Sequence, residues 1–202
     1  GIAMPRLFSG IELPDDVREA LARLRQPLPG ARWLEPDNLH ITLRFIGDVA
    51  APVAREFDAN LGSISFDPLT IEITGLATFG GDEPRIIYAA IKPTDELDRL
   101  ARANETAARR AGLNPESRRF IPHITLARLQ PAPRIEPIAR FLQRKGGLRL
   151  EPFTVTRFVL YSSKPQTGGG PYVVEHAYPS SIGHYDHEDW PDWEDETSSK
   201  RN

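Results

Sequence analysis

The stretches "NLHITLRFIGD" (38–48) and "FIPHITLARLQ" (120–130) contain the same tetrapeptide, HITL. In each stretch the motif reads as part of a β-strand, in which successive side chains point to opposite faces. His40 and Thr42 therefore share one face of the first strand, and His123 and Thr125 share one face of the second. Histidine is scarce in this chain, with five among 202 residues, so a repeated histidine motif needs an explanation.

The sequence before each motif also repeats. The segment "RIIYAAIKPTDELDRLARA" (85–103) aligns without a gap on "RLFSGIELPDDVREALARL" (6–24). Each copy predicts a strand followed by a helix with proline and aspartate at its start. The HITL strand, a second helix (52–61 or 135–145) and a closing strand (69–79 or 153–163) come next in each half. This order predicts an internal duplication, with two similar lobes related by a pseudo-two-fold axis.

A last strand over 171–178 is expected to close the body. We therefore expect one bilobal domain over 5–180, with its second half starting near residue 85, and an acidic tail over 181–202. The tail carries seven acidic and two basic residues, while the whole chain has a net charge of −3. The body is therefore mildly basic, which is compatible with an anionic ligand.

Composition excludes several classes of protein. The chain has no cysteine, which removes disulfides, zinc–thiolate sites and thiol nucleophiles and suits a reducing cytosol. No apolar run approaches the roughly 20 residues that span a bilayer. The first residues show no basic region followed by a long apolar stretch, so no secretory signal is expected. These features predict a cytoplasmic protein without membrane attachment.

The paired motifs point to phosphate chemistry. Two lobes that face each other across a two-fold axis would bring two imidazoles and two threonine hydroxyls into one cleft. Imidazole titrates near neutrality, so one ring can accept a proton while the other donates one. Threonine hydroxyls can donate hydrogen bonds to the phosphate oxygens on which charge builds in the transition state.

Other interpretations of the motifs have to be weighed. A single histidine in a strand is usually structural, although two in matching contexts are harder to explain in that way. A metal site is disfavoured because no Asp, Glu or Cys lies within either motif on the histidine-bearing face. The chain has no GxSxG elbow and no phosphate-binding P-loop. The segment "TGGGP" (167–171) is expected to form a hairpin turn.

The two motifs and the blocks around them, "PRLFSGIELPDDVREAL", "RWLEPDNLHITLRFIGD" and "RRFIPHITLAR", resemble the two-histidine phosphoesterase superfamily. Within it they are similar to the LigT-like RNA 2′,3′-cyclic phosphodiesterases of bacteria and archaea, formerly called 2′-5′ RNA ligases. The resemblance runs from about Pro5 to Pro179. It implies a bilobal α+β fold, with two pseudo-symmetric lobes and antiparallel sheets around a central cleft.

The resemblance also implies an activity. Family members hydrolyse a terminal 2′,3′-cyclic phosphate to a 2′-phosphate without a metal or other cofactor, and the reverse reaction is 2′-5′ ligation. The expected partner is RNA with a 2′,3′-cyclic phosphate end, tRNA fragments included, and the expected state is a monomer. Carried over by motif, His40 is the proton donor and His123 the proton acceptor, while Thr42 and Thr125 bind phosphate oxygens.

In this family the residue five positions after each histidine also contacts the ligand. Here these residues are Phe45, which can stack on a base, and Arg128, which can bind phosphate oxygens with its guanidinium fork. Strict alternation places both residues on the wrong face, so they reach the cleft only if the strands twist, bulge or end near Arg44 and Ala127. The alternatives are a core aromatic for Phe45 and a surface ion pair for Arg128.

Two other functions stay open at this point. One is a phosphodiesterase for a small nucleotide, such as an ADP-ribose cyclic phosphate, or for 2′,5′-oligonucleotides. The other is a nucleotide- or RNA-binding module without turnover, against which the intact histidines and threonines argue. A basic surface beside the cleft would favour RNA. The candidates for it, which could equally form a solvated face, are Arg109, Arg110, Arg118 and Arg119.

Overall fold

The structure, a computed structural model, describes residues 5–165 and 167–179, so the predicted tail over 181–202 lies outside the described residues. In the described part the chain forms ten strands, four α-helices and one short 3-10 helix at Pro36–Asn38. The strands are β1 (Arg6–Glu12), β2 (Ala31–Trp33), β3 (His40–Asp48), β4 (Leu69–Ile71), β5 (Ile73–Phe79), β6 (Ile86–Ile91), β7 (His123–Leu129), β8 (Phe153–Val155), β9 (Phe158–Ser163) and β10 (Val173–Tyr178). The helices are α1 (Asp15–Ala22), α2 (Ala51–Gly62), α3 (Asp95–Arg110) and α4 (Ile135–Lys145).

Eight strands form one antiparallel sheet. Seven follow in the order β10-β9-β1-β3-β7-β6-β5, and β2 joins by pairing with β7. Among the described residues, β3 and β7 pair at one position, between Ile41 and Ile124, so the sheet has two halves joined at a narrow junction. The set β9, β1 and β3 in one half corresponds to β5, β6 and β7 in the other. The predicted α+β fold with two similar antiparallel lobes is confirmed.

The two predicted closing strands, 69–79 and 153–163, need correction because each is two strands in different sheets. Their first parts, β4 and β8, pair with each other. Their second parts exchange lobes: β5 pairs with β6, and β9 pairs with β1. In the first segment Leu69, Ile71 and Ile73 are all buried. Apolar alternation therefore continues through the break, and only the pairing partners reveal it.

Residues at both ends of α3 favour the formation of this helix. The hydroxyl of Thr94 accepts a hydrogen bond from the backbone N–H of Leu97 at 3.2 Å and caps the helix start. Acidic residues occupy the first turn and two arginines the last, which suits the helix dipole at both ends. Leu97 and Leu100 are buried against the sheet.

The helices and the histidines lie on opposite faces of the sheet. Buried residues from all four helices, among them Phe57 and Phe141, join Ile41 and Ile124 of the central strands in one hydrophobic cluster. Each such side chain contributes roughly 1.5–3 kcal/mol when fully buried. The motif histidines and threonines alternate with these isoleucines and so point away from the helices. We call this side of the sheet the histidine face. In the described residues, no helix is both long and apolar enough to cross a membrane.

The internal repeat differs from the gapless alignment by one residue in its first strand. That alignment places Ala89 on Gly10. In the sheet, Gly10 pairs with Thr42 while Tyr88 pairs with Thr125, so Tyr88 is the structural counterpart of Gly10. A shift of one residue exchanges the two faces of a strand. The alignment was wrong here because both strands are apolar on both sides.

Gly10 marks a close approach between β1 and β3. A Cβ atom at Gly10 would lie 2.5 Å from the backbone oxygen of Ile41 and 3.2 Å from the ring of Tyr161. Because the backbone oxygen cannot move without disturbing the sheet, we expect Gly10→Ala to lower the free energy of unfolding by about 1–3 kcal/mol. Urea denaturation measures this change.

Gly62 provides the matched control for Gly10. It ends α2, and a Cβ atom there would meet nothing within 4 Å. Gly62→Ala should leave stability unchanged or raise it by about 0.4–1 kcal/mol. Equal stability of the two alanine variants would contradict the tight contact at Gly10.

Candidate active site

The four motif residues meet at the junction between the two halves of the sheet. His40 and His123 are the first residues of β3 and β7, each directly before the paired isoleucine. An antiparallel register through Ile41 and Ile124 places His40 beside Thr125 and Thr42 beside His123. The predicted convergence of both motifs is therefore present in the structure.

Both imidazoles are anchored in the same way. Nδ1 of His40 lies 2.7 Å from the carbonyl oxygen of Asn38, and Nδ1 of His123 lies 2.6 Å from that of Ile121. A carbonyl can only accept a hydrogen bond, so Nδ1 carries the proton in each neutral ring. Nε2 is then the atom that can take up or release a proton on the histidine face. In His40 this atom lies 2.8 Å from the hydroxyl of Thr42.

Aromatic rings surround His40. The ring centroid of His40 lies 4.9 Å from that of Phe8 and 5.3 Å from those of Tyr161 and Tyr172. Burial among these rings lowers the pKa of His40 to about 4; the hydrogen bond to Asn38 opposes this shift, and the charges of His123 and Arg128 add to it. His40 is therefore neutral near pH 7 in the free protein.

His123 has fewer neighbours. Its ring centroid lies 4.9 Å from Phe79 and 5.5 Å from Tyr88, and these two rings stack on each other. Burial lowers the pKa of His123, the hydrogen bond to Ile121 opposes the shift, and the charge of Arg128 adds to it. None of these aromatic neighbours was predicted, because they come from strands that are distant in sequence from the motifs.

A β-bulge follows each motif. In β3, Gly10 faces Thr42 and Ser9 faces Arg44, so Leu43 has no partner. The same irregularity occurs in β7, where Tyr88 faces Thr125 and Ile87 faces Ala127, so Leu126 has no partner in β6. One extra residue reverses the alternation of faces downstream. The residue five positions after each histidine therefore returns to the histidine face. A bulge was one of the ways in which this could happen.

The bulge in β3 exposes Phe45 and buries Arg44. Phe45 is 44% exposed, which rules out the core-aromatic alternative, and the guanidinium of Arg6 lies 4.9 Å from its ring centroid. Arg44 points to the helix side, where its Nε donates to Glu105 at 2.6 Å. One terminal nitrogen of Arg44 donates to the carbonyl of Phe45 at 2.6 Å and the other to that of Asn114 at 2.5 Å. These bonds fix the backbone at Phe45.

The bulge in β7 exposes Arg128. The bulge directs the side chain of Arg128 to the histidine face, and its charge adds to the effect of burial in lowering the pKa of both His40 and His123. Within 5–165 and 167–179 no acidic side chain pairs with it, which disfavours the surface ion-pair alternative. An unpaired cation beside two histidines favours binding of an anion.

The predicted basic cluster is partly neutralised. Arg109 pairs with Glu105 at 3.0 Å, and Arg118 pairs with Glu116 at 3.7 Å. Glu105 also accepts from Arg44, and although burial opposes it, the bonds that Glu105 accepts hold its carboxyl pKa below the ordinary value. The cluster, which also includes Arg110 and Arg119, is exposed on and after α3. These arginines therefore form mainly a solvated surface, which was the alternative to an RNA-binding surface.

No metal-ligand cluster accompanies the histidines in the described part of the chain. No group of three or more histidine, aspartate or glutamate side chains there is arranged to hold an ion. Independence from metals stays a prediction that a chelator can test.

Known proteins are similar to this chain along most of its length. The family model "LigT like Phosphoesterase" matches residues 11–88 and 91–172. An RNA 2′,3′-cyclic phosphodiesterase of Aeropyrum pernix is 34% identical over 73% of this chain and 83% of its own length. One of Escherichia coli is 30% identical over 83% of this chain and 92% of its own.

A solved structure shows the same similarity in three dimensions. E. coli LigT in complex with 3′-AMP superposes with a TM-score of 0.71 at 28% identity, over 88% of this chain and 99% of that one. The matched segments include both histidine motifs and most of the described strands. The protein belongs to the LigT-like phosphoesterase family of the two-histidine superfamily.

Proposed function

We propose that the protein hydrolyses RNA 2′,3′-cyclic phosphodiester ends to 2′-phosphomonoesters without a metal ion. The observation that carries the proposal is the pair of histidines anchored through Nδ1, with two threonines and Arg128 beside them. The names of the similar proteins of A. pernix and E. coli support the substrate class.

The reaction needs one base and one acid. A water oxygen attacks phosphorus in line, and the bond from phosphorus to the 3′-oxygen breaks on the opposite side. A neutral imidazole takes the proton from water, and a protonated imidazole gives one to the departing 3′-oxygen. The phosphate stays on the 2′-oxygen. Two Nε2 atoms on either side of a pseudo-two-fold axis suit this division of roles.

We assign His40 as the proton donor and His123 as the proton acceptor, following the family resemblance. The pKa of about 4 for His40 in the free protein favours the opposite assignment, because a donor has to be protonated. The donor role therefore requires the substrate to raise that pKa. A phosphodiester anion held beside the ring acts in this direction, since a nearby negative charge stabilises imidazolium.

The other site residues hold the substrate in this proposal. Thr42 and Thr125 donate hydrogen bonds to the non-bridging oxygens, and Arg128 neutralises the charge that develops on them. Burial lowers the pKa of the acceptor histidine, and the positive charge of Arg128 adds to this effect. The exposed ring of Phe45 stacks on the terminal base.

Ring opening by a hydroxyl group instead of water uses the same groups. A ribose 5′-hydroxyl in place of water would be deprotonated by the same base and would form a 2′,5′ linkage, so 2′-5′ ligation is part of the proposal. The proposed RNA includes fragments of tRNA, and we propose that the protein acts as a monomer in the cytoplasm. The absence of cysteine suits that compartment.

The shifted histidines lead to a prediction for titration by NMR. Because burial lowers its pKa, the His40 ring should stay neutral down to about pH 4. Saturation with inorganic phosphate should raise the pKa of both rings, and Arg128→Gln should raise both in the free protein. A His40 ring that titrates at 6.5 in the free protein would contradict the buried environment described above.

The unfolded chain binds a proton on His40 more tightly than the folded protein does, so the free energy of unfolding should fall as the pH falls from 6.5 towards 4.

The two histidine roles can be separated by the leaving group. His40→Ala and His123→Ala should each lower kcat by about 10²-fold or more on a cyclic-phosphate RNA end. A 3′-thio leaving group needs little protonation, so it should restore turnover in His40→Ala and not in His123→Ala. Rescue of His123→Ala alone would reverse the assignment. Rescue of neither variant would contradict the acid–base scheme.

A further inference from the structure

A second arginine lies beside Arg128. Residues 31–33 form β2, which pairs with β7. In this register Arg32 is directly opposite Arg128. Residues that are opposite in an antiparallel pair point to the same face, with Cα atoms about 4.5–5.5 Å apart. Arg32 therefore projects from the histidine face next to the cation that acts on both histidines.

This pair of like charges is not compensated within residues 5–165 and 167–179. Both arginines are exposed, and neither forms an ion pair or a side-chain hydrogen bond within the residues that the structure describes. Glu35, three positions after Arg32, pairs instead with Arg25 at 3.5 Å. Like charges directly opposite in a sheet are destabilising. An uncompensated pair at this position is therefore suited to an anion supplied from outside.

The strand that carries Arg32 is firmly held. The indole N–H of Trp33 donates to the carbonyl of Gln26 at 2.9 Å, and its ring packs edge-on against Phe141 at 5.6 Å between centroids. The backbone N–H of Leu34 donates to the carbonyl of Leu126 at 2.9 Å. Arg32 thus extends from a fixed backbone, which reduces the entropy lost when it binds a ligand.

The pair of adjacent arginines, Arg32 and Arg128, is present in one lobe. Beyond the junction, β7 pairs with β6 on one side and with β2 on the other, whereas β3 pairs with β1 alone among the described strands. The place that corresponds to Arg128 in the first lobe holds Phe45, which suits a base. The second arginine therefore extends the anion-binding part of the site along the edge of β7 that also carries β3.

We propose that Arg32 binds the phosphate that precedes the terminal cyclic phosphate in an RNA chain. The inference rests on the proposed function and goes further, because it makes Arg32 a determinant of specificity for oligoribonucleotides over cyclic mononucleotides. Arg128 follows the second histidine motif in β7, and the bulge directs it to the histidine face, which suits the reacting phosphate. Arg32 lies on the edge of β7 that also carries β3, so it is placed for the next anion along that edge, and a cyclic mononucleotide has no such anion.

The test compares two substrates with the same terminal base. One is a nucleoside 2′,3′-cyclic monophosphate, and the other is an oligoribonucleotide with a 2′,3′-cyclic phosphate end. Arg32→Gln should lower kcat/KM for the oligonucleotide about tenfold at low salt, since it removes a charge-assisted contact. Its kcat/KM for the mononucleotide should not change. The slope of log kcat/KM against log salt for the oligonucleotide should become shallower by about 0.7.

A modified substrate and a control variant sharpen the comparison. An oligonucleotide with a neutral methylphosphonate at the preceding linkage should be cleaved by wild type as slowly as Arg32→Gln cleaves the normal one. Arg140→Gln removes one exposed arginine from α4 on the helix side and should leave both substrates unaffected. Because Arg32→Gln removes a like-charge pair, its melting temperature should equal or exceed that of wild type.

The outcomes separate this inference from the proposed function. An equal loss of kcat/KM on both substrates would place Arg32 at the reacting phosphate and overturn the inference. An unchanged kcat/KM on both substrates would also overturn it. A wild-type protein that opens neither substrate would instead overturn the proposed function.

Discussion

The site depends on one backbone constraint, the single pairing of Ile41 with Ile124 between the two halves of the sheet. Both isoleucines are fully buried on the helix side, so hydrophobic burial fixes the register at this point. Period-two alternation then places a histidine directly before each isoleucine and a threonine directly after it on the opposite face. The same contact therefore joins the lobes and assembles the two histidine–threonine pairs.

The matching β-bulges extend this arrangement. Each inserts one leucine, Leu43 or Leu126, after a motif threonine and reverses the faces that follow. In the first lobe the result is an exposed phenylalanine, with Arg44 directed to a buried ion pair with Glu105. In the second lobe the result is an exposed arginine, Arg128, which has no acidic partner in the part of the chain that the structure describes. Similar backbones thus give the two lobes different side chains, one suited to a base and one to phosphate.

Much of this could be predicted from the sequence, because the information is local. The motif strands, α4 and the start of α3 follow from alternation, helical periodicity and capping residues within a few positions. The features that could not be predicted from the sequence depend on pairing between distant segments. The breaks in the closing strands leave the apolar pattern intact. The three-residue strand β2 is too short to show a period, so Arg32 could not be placed. The rings around His40 come from β1, β9 and the segment before β10, and no local pattern connects Phe8, Tyr161 and Tyr172 with the motif.

The central claim is that two histidines open a 2′,3′-cyclic phosphate by expelling the 3′-oxygen, with no metal ion. The most direct test is ³¹P NMR of the product from an RNA end carrying a 2′,3′-cyclic phosphate, in the presence of chelator and ¹⁸O-labelled water. We expect the phosphate to remain on the 2′-hydroxyl and to carry one ¹⁸O atom from the attacking water. A 3′-phosphate product, or turnover that stops in chelator and returns with a divalent ion, would contradict it.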